Sequence, residues 1–196
     1  MRELSTDGGA GAIYQADIRS GLEIQVMIDA VLDRQDRLDV LVCNAGVASS
    51  HLVLRCPEDE WLRIIDTNLT GTYRCLTAVA PLMIKQGGGS IIVVGSYAGL
   101  HGASGQAAYA ASKAGLVGLV QTAAREWGPH NIRVNLVCPG WQPTALAGDA
   151  FPATEQLSDH VLGRLSNLED VSRTICHLAQ LPGMSGQIVN LDSRIL

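Results

Sequence analysis

The sequence predicts an α/β fold: a doubly wound parallel sheet between two layers of helices, a three-layer αβα arrangement. First, short runs of consecutive apolar residues alternate along the chain with longer segments of helical periodicity. Such runs are typical of strands buried on both faces, and their alternation with helices is typical of a parallel sheet. Second, polar or turn residues follow several predicted strands, at the sheet edge where ligands bind: Asp17, Asn44, Ser96 and Pro139-Gly140.

Composition narrows the class of protein. The 196 residues suffice for one domain, 1–196, and a hydrophobic content of 47% with 17% charged residues is typical of a globular protein. A net charge of −5 without a basic cluster gives no support to nucleic acid or an anionic membrane as a partner. The five cysteines are scattered without metal-ligand spacing, so we expect free thiols, no metal site and a reducing compartment. No signal peptide or membrane-spanning run is visible, so the predicted location is the cytoplasm.

The N-terminal third contains two predicted strands. Residues 2–4 resemble the last turn of a helix, and residues 8–11, rich in glycine, predict a plain turn. Residues 12–16 alternate as a strand does and end at Asp17. Helical periodicity follows over 21–37, and the apolar run 39–43 predicts a strand covered on both faces.

The remaining elements follow in regular alternation. An acidic first turn after Pro57 begins a helical region that we expect to be interrupted near 70–71 and at Pro81, and to end at the glycines 87–89. Residues 91–94 and 132–138 predict buried strands, with a helix over 108–127 between them. Residues 141–167 suit a substrate-covering segment. A helix over 168–181 and a strand over 187–191 complete the chain.

The stretch between Ser96 and Lys113 carries the candidate chemistry. Tyr109 and Lys113 are four residues apart, so they share one face of a helix. A cation beside a phenol lowers the phenol pKa from about 10, which makes it usable for proton transfer near neutral pH. By itself this pair is more often an ordinary helix face. A serine at the end of a buried strand nearby favours a proton-transfer site for a carbonyl or an alcohol.

These motifs together resemble the short-chain dehydrogenase/reductase family, and among its members the 3-oxoacyl-carrier-protein reductases. The resemblance covers almost the whole chain and implies a Rossmann-like domain that transfers hydride between NAD or NADP and a small-molecule carbonyl or alcohol. The matching positions are the Asn-Ala-Gly motif 44–46, a helix asparagine, a serine after a strand, Tyr-x-x-x-Lys, and a Pro-Gly segment ending in threonine.

The resemblance also assigns roles. The catalytic residues would be Asn68, Ser96, Tyr109 and Lys113. Tyr109 would exchange a proton with the substrate oxygen, and Ser96 would orient that oxygen. Lys113 would lower the pKa of Tyr109 and hold the nicotinamide ribose, and Asn68 would position a water. Ser96, Gln106 and Tyr109 would contact the substrate. The cofactor would be bound by Tyr109 and Lys113 together with Asp17, Ile18, Asn44, Ala45, Gly46, Pro139, Gly140, Gln142 and Thr144. The helices over 68–84 and 108–127 would form a homodimer or homotetramer.

One departure from the family is large. Its initial strand–TGxxxGxG–helix–strand segment has no counterpart here, so the chain is expected to begin inside the family's second helix. Residues 1–196 alone would then be marginally stable and bind NAD(P)H at least about tenfold more weakly than a chain with that segment. Two alternatives stay open at this point: a non-catalytic interaction or regulatory subunit, and an enzyme of the extended epimerase/dehydratase type, which the Asn-Ala-Gly motif and Asn68 disfavour.

Overall fold

The computed structural model describes residues 2–6, 9–147 and 157–195 and contains one main sheet and one hairpin. The strands are β1 (Arg2–Thr6), β2 (Gly9–Ile13), β3 (Val40–Cys43), β4 (Gly89–Val94), β5 (Ile132–Cys138) and β6 (Ile188–Asn190). The main sheet is parallel, in the order β3-β4-β5-β6. The predicted α/β class with a parallel sheet is confirmed.

In the described part of the chain, six α-helices accompany the strands: α1 (Gly21–Gln35), α2 (Glu58–Ile65), α3 (Gly71–Gln86), α4 (Ala98–His101), α5 (Ala107–Trp127) and α6 (Leu168–Gln180). Two short 3-10 helices cover Val53–Arg55 and Gly128–His130. Capping side chains fix two of their starts. Ser20 Oγ accepts a hydrogen bond from the amide of Glu23 at α1, and Asn167 Oδ1 accepts one from the amide of Asp170 at α6. Between α2 and α3 the helix widens into a π-helical turn, Asp66–Thr70.

The core divides into two layers because successive residues of β4 point to opposite faces of the sheet. Ile91 and Val93 pack with α3 and α5 in the larger cluster, whereas Ile92 packs with Leu178 of α6 in the smaller one. All three β4 side chains are fully buried. This arrangement confirms the predicted helical layers on both faces of the sheet.

Two glycines allow the segments around α5 to approach it closely. A Cβ atom at Gly99 of α4 would lie 2.7 Å from the Lys113 carbonyl carbon. One at Gly115 of α5 would lie 2.7 Å from the side chain of Leu69 in the π-helical turn. The absence of these two side chains therefore brings α4 and the π-helical turn against the helix that carries Tyr109 and Lys113.

The N-terminus differs from its prediction. Residues 2–4 belong to a strand, so the predicted helix end was wrong, and Gly9–Ile13 is a strand where part of a turn was expected. The two strands pair antiparallel as a separate hairpin, with Leu4 opposite Gly11. The second strand ends at Ile13, which lies opposite Arg2 at the start of the first strand, and not at Asp17. It does not pair with β3, whose Val40 and Val42 remain 39% and 41% exposed at the sheet edge.

A second correction concerns Pro81, which lies inside α3 without ending it. Proline removes one helical hydrogen bond, but Val79, Ala80 and Met83 are buried against the sheet and hold the turns on either side of it. The predicted interruption near 70–71 is confirmed, since the π-helical turn ends at Thr70. Of the predicted substrate-covering segment 141–167, residues 148–156 lie outside the described residues.

None of the helices in the described residues is long and apolar enough to cross a membrane. The same residues contain no group of three or more histidine, cysteine, aspartate or glutamate side chains that could hold a metal ion.

Candidate active site

A cavity of about 270 Å³ lies at the carboxyl edge of the main sheet, bordered by the ends of β4 and β5 and by the first turns of α5. Ten of the predicted site residues line it: Asn44, Gly46, Ser96, Gln106, Tyr109, Lys113, Pro139, Gly140, Gln142 and Thr144. Four do not: Asp17, Ile18, Ala45 and Asn68. Parallel strands bring distant segments to this edge, as the sequence pattern predicted.

Ser96 and Tyr109 both line the cavity. The Ser96 hydroxyl accepts a hydrogen bond from the amide of Ala98 at 3.2 Å, which fixes the side chain after β4. Two glycines with positive φ, Gly102 and Gly105, turn the chain from α4 into α5, where Tyr109 lies in the first turn. Burial raises the pKa of Tyr109, and a hydrogen bond with Ser96 partly opposes this shift.

Lys113 lies one turn further along α5 and is only 5% exposed. Its Nζ donates a hydrogen bond to the Val94 carbonyl at 2.7 Å and lies 5.8 Å from the centre of the Tyr109 ring. Burial lowers the pKa of Lys113 to about 8. The expectation that Lys113 lowers the pKa of Tyr109 was wrong for this structure: the ammonium points to the end of β4, and burial of the phenol dominates.

Asn68 lies behind the cavity wall and is completely buried. Its Oδ1 accepts a hydrogen bond from the Val47 amide at 2.8 Å, and its Nδ2 donates to the Val47 carbonyl at 2.9 Å and to Ser112 Oγ at 3.0 Å. Ser112 Oγ in turn donates to the Tyr109 carbonyl at 2.7 Å. Asn68 therefore ties the loop after β3 to the first turn of α5. Its role in positioning a water stays a prediction.

The Pro-Gly segment after β5 forms another wall. Gly140 has a φ of +74°, and a Cβ atom there would lie 3.0 Å from Ser166 Oγ and 3.1 Å from Asp192 Oδ2. Gln142 Nε2 donates to the Pro139 carbonyl at 3.0 Å and to Ser166 Oγ at 2.8 Å. Gln142 Oε1, however, is buried without a hydrogen-bond partner among the described residues. A buried acceptor of this kind needs a donor, which a bound ligand could supply.

Asp17 and Ile18 lie outside the cavity. Asp17 is paired with Arg19 at 2.6 Å, and the hydrogen bonds from Arg19 lower the pKa of Asp17 to about 2. Ile18 packs so closely against α3 that a Cβ atom at Gly71 would lie 2.9 Å from its side chain. The contact of Asp17 and Ile18 with an adenine ring stays a prediction. The contact of Ala45 with a cofactor also stays a prediction.

Several cavity residues were not predicted from the sequence. Tyr97, adjacent to Ser96, and Arg194, near the C-terminus, both line it. Cys138, which ends β5, does not line the cavity, and burial raises the pKa of its thiol to about 11. Tyr97 could have been predicted as a cavity residue because it directly follows Ser96. Nothing in the sequence around Arg194 indicates that it reaches the cavity. Apolar side chains complete the wall: Trp141, Leu146, Leu168, Val171 and Ile175.

Comparisons with known proteins identify similar chains over nearly the whole length. The family described as enoyl-(acyl carrier protein) reductase matches residues 1–193. A 3-oxoacyl-[acyl-carrier-protein] reductase of Synechocystis sp. is 38% identical over 195 residues, 98% of this chain and 78% of the relative. One from Staphylococcus epidermidis is 36% identical over 198 residues, 98% of this chain and 80% of the relative.

Solved structures agree in fold. An NAD⁺-bound xylitol dehydrogenase superposes with a TM-score of 0.85 at 25% identity, covering 92% of this chain and 77% of the other. A levodione reductase superposes with a TM-score of 0.83 at 24% identity, covering 91% and 74% of the two chains. The second likeness concerns the fold alone.

Proposed function

The chain belongs to the short-chain dehydrogenase/reductase family, and on that premise we propose that Ser96, Tyr109 and Lys113 carry its reaction, with Asn68 supporting them. The protein is an NAD(P)-dependent oxidoreductase that acts on CH–OH groups and the corresponding carbonyls of small molecules. Its named relatives are reductases and dehydrogenases, and none supports the alternative of a non-catalytic subunit.

The observation that carries the proposal is that the Ser96 and Tyr109 side chains line the same mainly apolar cavity. Two hydroxyl groups that line one cavity can both hold one substrate oxygen. Because the pKa of Tyr109 is raised, its phenol is protonated near neutral pH, which is the form that carbonyl reduction requires. Ser96 stabilises the negative charge that develops on the oxygen before Tyr109 donates its proton.

Lys113 and Asn68 prepare this site. Lys113 places a cation one helical turn from Tyr109, where its ammonium would hold the ribose of the nicotinamide nucleotide. Asn68 fixes the position of the first turn of α5 through Ser112, so that Tyr109 is held against Ser96. A bound nicotinamide supplies the hydride.

The residues after β5 fit a nicotinamide. Gln142 Oε1 accepts no hydrogen bond from the described residues. The carboxamide group of a nicotinamide has an N–H that could donate one to it. Lys113, Asn44 and Gly46 line the same cavity, and Lys113 Nζ and the Asn44 side chain offer donors to a ribose. We therefore assign Asn44, Gly46, Pro139, Gly140, Gln142 and Thr144, with Tyr109 and Lys113, to the nicotinamide side. NAD and NADP both fit this assignment.

A 3-oxoacyl thioester is the substrate class that the named relatives favour. With acetoacetyl-coenzyme A as the probe, we expect the protein to oxidise NADH or NADPH, each supplied separately and followed by the loss of nicotinamide absorbance. The reaction should require Tyr109. If neither nucleotide were consumed faster than in the presence of the Tyr109→Phe protein, the proposed function would be wrong.

The chain is also proposed to form one domain and to reside in the cytoplasm. The two layers of the core lie on opposite faces of one sheet, which supports a single domain. All five cysteines are free thiols, which is the usual state in a reducing compartment.

A homodimer or homotetramer through α3 and α5 is the proposed assembly. Tyr73 of α3 is 51% exposed, and Gly118 on the outer face of α5 has open space where a side chain would extend. We expect Gly118→Arg to leave the subunit folded but to separate the oligomer, because a large charged side chain would enter the helix contact. Light scattering measures the mass. Gly183→Arg, which also enters open space but lies between α6 and β6, is the matched control.

If both variants and the unchanged protein had the same mass, α5 would not lie in a subunit interface. A stable monomer in all three would contradict the proposed assembly itself.

A further inference from the structure

Arg194 gives the cavity a second cation. Among the described residues that line the cavity, the only charged side chains are Lys113 and Arg194, and none is acidic. This is unusual for a chain whose net charge is −5. The reaction at Ser96 and Tyr109 uses Lys113, but it gives no role to Arg194.

The guanidinium of Arg194 is held in a fixed position. Its Nε donates to Asp192 Oδ1 at 2.9 Å, and its Nη2 donates to Asp192 Oδ2. The guanidinium also lies over the Tyr97 ring, 3.8 Å from the ring centre. With only 18% of the side chain exposed, Arg194 loses little conformational freedom when it binds a ligand.

The partner of Arg194 is itself anchored. The Asp192 side chain is fully buried and lies 3.4 Å from His160 Nδ1. Two backbone contacts hold the same segment: the Leu191 amide donates to the Cys138 carbonyl at 2.9 Å, and the Val161 amide donates to the Ser193 carbonyl at 3.1 Å. Although burial alone would raise the pKa of Asp192, hydrogen bonds from Arg194 lower it, so the pair is ionised. Asp192 is therefore a positioning residue for Arg194.

One edge of the guanidinium remains available. Nε and Nη2 are engaged by Asp192, whereas Nη1 has no hydrogen-bond partner among the described residues. Arg194 lies over the ring of Tyr97, the residue after Ser96, and lines the same cavity as Ser96 and Tyr109. An Nη1 group there offers N–H donors to a planar oxygen acceptor.

We propose that Arg194 is a specificity-determining residue that binds a second carbonyl-type oxygen of the substrate, in a carboxylate or an acyl group, beside the carbonyl that is reduced. The substrate class is thus a 3-oxo acid or its ester or thioester, in preference to a simple ketone. This inference rests on the proposed function. Asp192 offsets much of the positive charge of Arg194. The preference for a substrate with a second carbonyl-type oxygen therefore comes mostly from the hydrogen bond that Nη1 donates.

The test compares three probes that share a methyl ketone: acetoacetate, methyl acetoacetate and 2-pentanone. Binding is measured with the oxidised nucleotide present, which cannot reduce the probes, through the fluorescence of the protein, because Trp141 lines the cavity. We expect methyl acetoacetate to bind at least about tenfold more tightly than 2-pentanone, a difference of ~1.4 kcal/mol. Arg194→Met should remove this difference while leaving the affinity for 2-pentanone unchanged.

Acetoacetate, the anionic probe, shows whether the oxygen that Arg194 binds belongs to a free carboxylate or to an ester or thioester. Tighter binding of acetoacetate than of its methyl ester would assign the site to a free carboxylate, and equal or weaker binding would assign it to an ester or thioester. Arg194→Met leaves Asp192 buried without its partner, so the double variant Asp192→Asn/Arg194→Met is measured beside it, with its unfolding temperature as the check on folding.

The outcomes distinguish this inference from the proposed function. If the unchanged protein bound all three probes equally while reducing them with NAD(P)H, the role of Arg194 would be refuted and the oxidoreductase would stand. If the folded double variant kept the preference for the ester, Arg194 would likewise not be its cause. If no probe were reduced at all, the proposed function itself would fail.

Discussion

Replacing Tyr109 with phenylalanine is expected to lower the rate of carbonyl reduction by about 10²–10⁴-fold, because the variant retains the ring but loses the proton donor. The affinity for the nicotinamide nucleotide should change little, since only one hydroxyl group is removed. Steady-state kinetics gives the rate, and nucleotide fluorescence gives the affinity. Because the pKa of Tyr109 is raised, the phenol keeps its proton through neutral pH, so loss of that proton should not lower the rate of reduction in that range.

Tyr14→Phe is the matched control for this substitution. It makes the same chemical change at a tyrosine outside the cavity, whose hydroxyl donates to the Ala30 carbonyl at 3.1 Å. We expect its rate to equal that of the unchanged protein. Retention of more than a few per cent of the activity by Tyr109→Phe would show that another group donates the proton.

Lys113→Met is expected to abolish most of the activity and at the same time to stabilise the fold. Burial lowers the pKa of Lys113 from 10.5 to about 8, which corresponds to a cost of roughly 3 kcal/mol at most for keeping the charge in the folded protein. Methionine has no charge to bury. Losing the hydrogen bond to the Val94 carbonyl offsets about 1 kcal/mol, so we expect the free energy of unfolding at neutral pH to rise by about 2 kcal/mol.

The pH dependence of this effect has a defined sign. Between pH 8 and 10.5 the unfolded chain keeps the Lys113 proton while the folded protein has released it, so stability attributable to this residue rises with pH in that window. Below pH 8 both states are protonated and the cost of burial is fully present. Urea unfolding at pH 7 and pH 10 measures both points, and the gain from Lys113→Met should be smaller at pH 10.

Lys85→Met controls for the general effect of removing a lysine. Lys85 lies in the last turn of α3 and is exposed, so its replacement should change the free energy of unfolding by no more than about 0.5 kcal/mol. If Lys113→Met were no more stable than the unchanged protein at pH 7, the buried ammonium would not carry the cost assigned to it. Loss of activity together with a gain in stability is typical of a residue retained for function.

The alternation of apolar runs with helical segments was sufficient to predict most of the main sheet. The predicted strands over 39–43, 91–94 and 132–138 correspond to β3, β4 and β5, because a buried parallel strand needs apolar residues on both faces. The N-terminal hairpin was missed. Residues 2–13 contain many small and polar side chains, whose pattern favours neither a strand nor a helix, and the pairing of Leu4 with Gly11 depends on contacts between the two strands.

The sequence by itself determined that Ser96, Tyr109 and Lys113 meet at one sheet edge. The end of the strand, the four-residue spacing and the start of the helix depend on neighbouring residues in the sequence. They are therefore the same in the folded protein as in the prediction. The tertiary structure alone decided three other properties: that burial raises the pKa of Tyr109, that Asn68 binds the backbone of Val47 and the hydroxyl of Ser112, and that Arg194 reaches the cavity. Each depends on segments far apart in the chain, and burial and charge at a site are set by everything that packs around it.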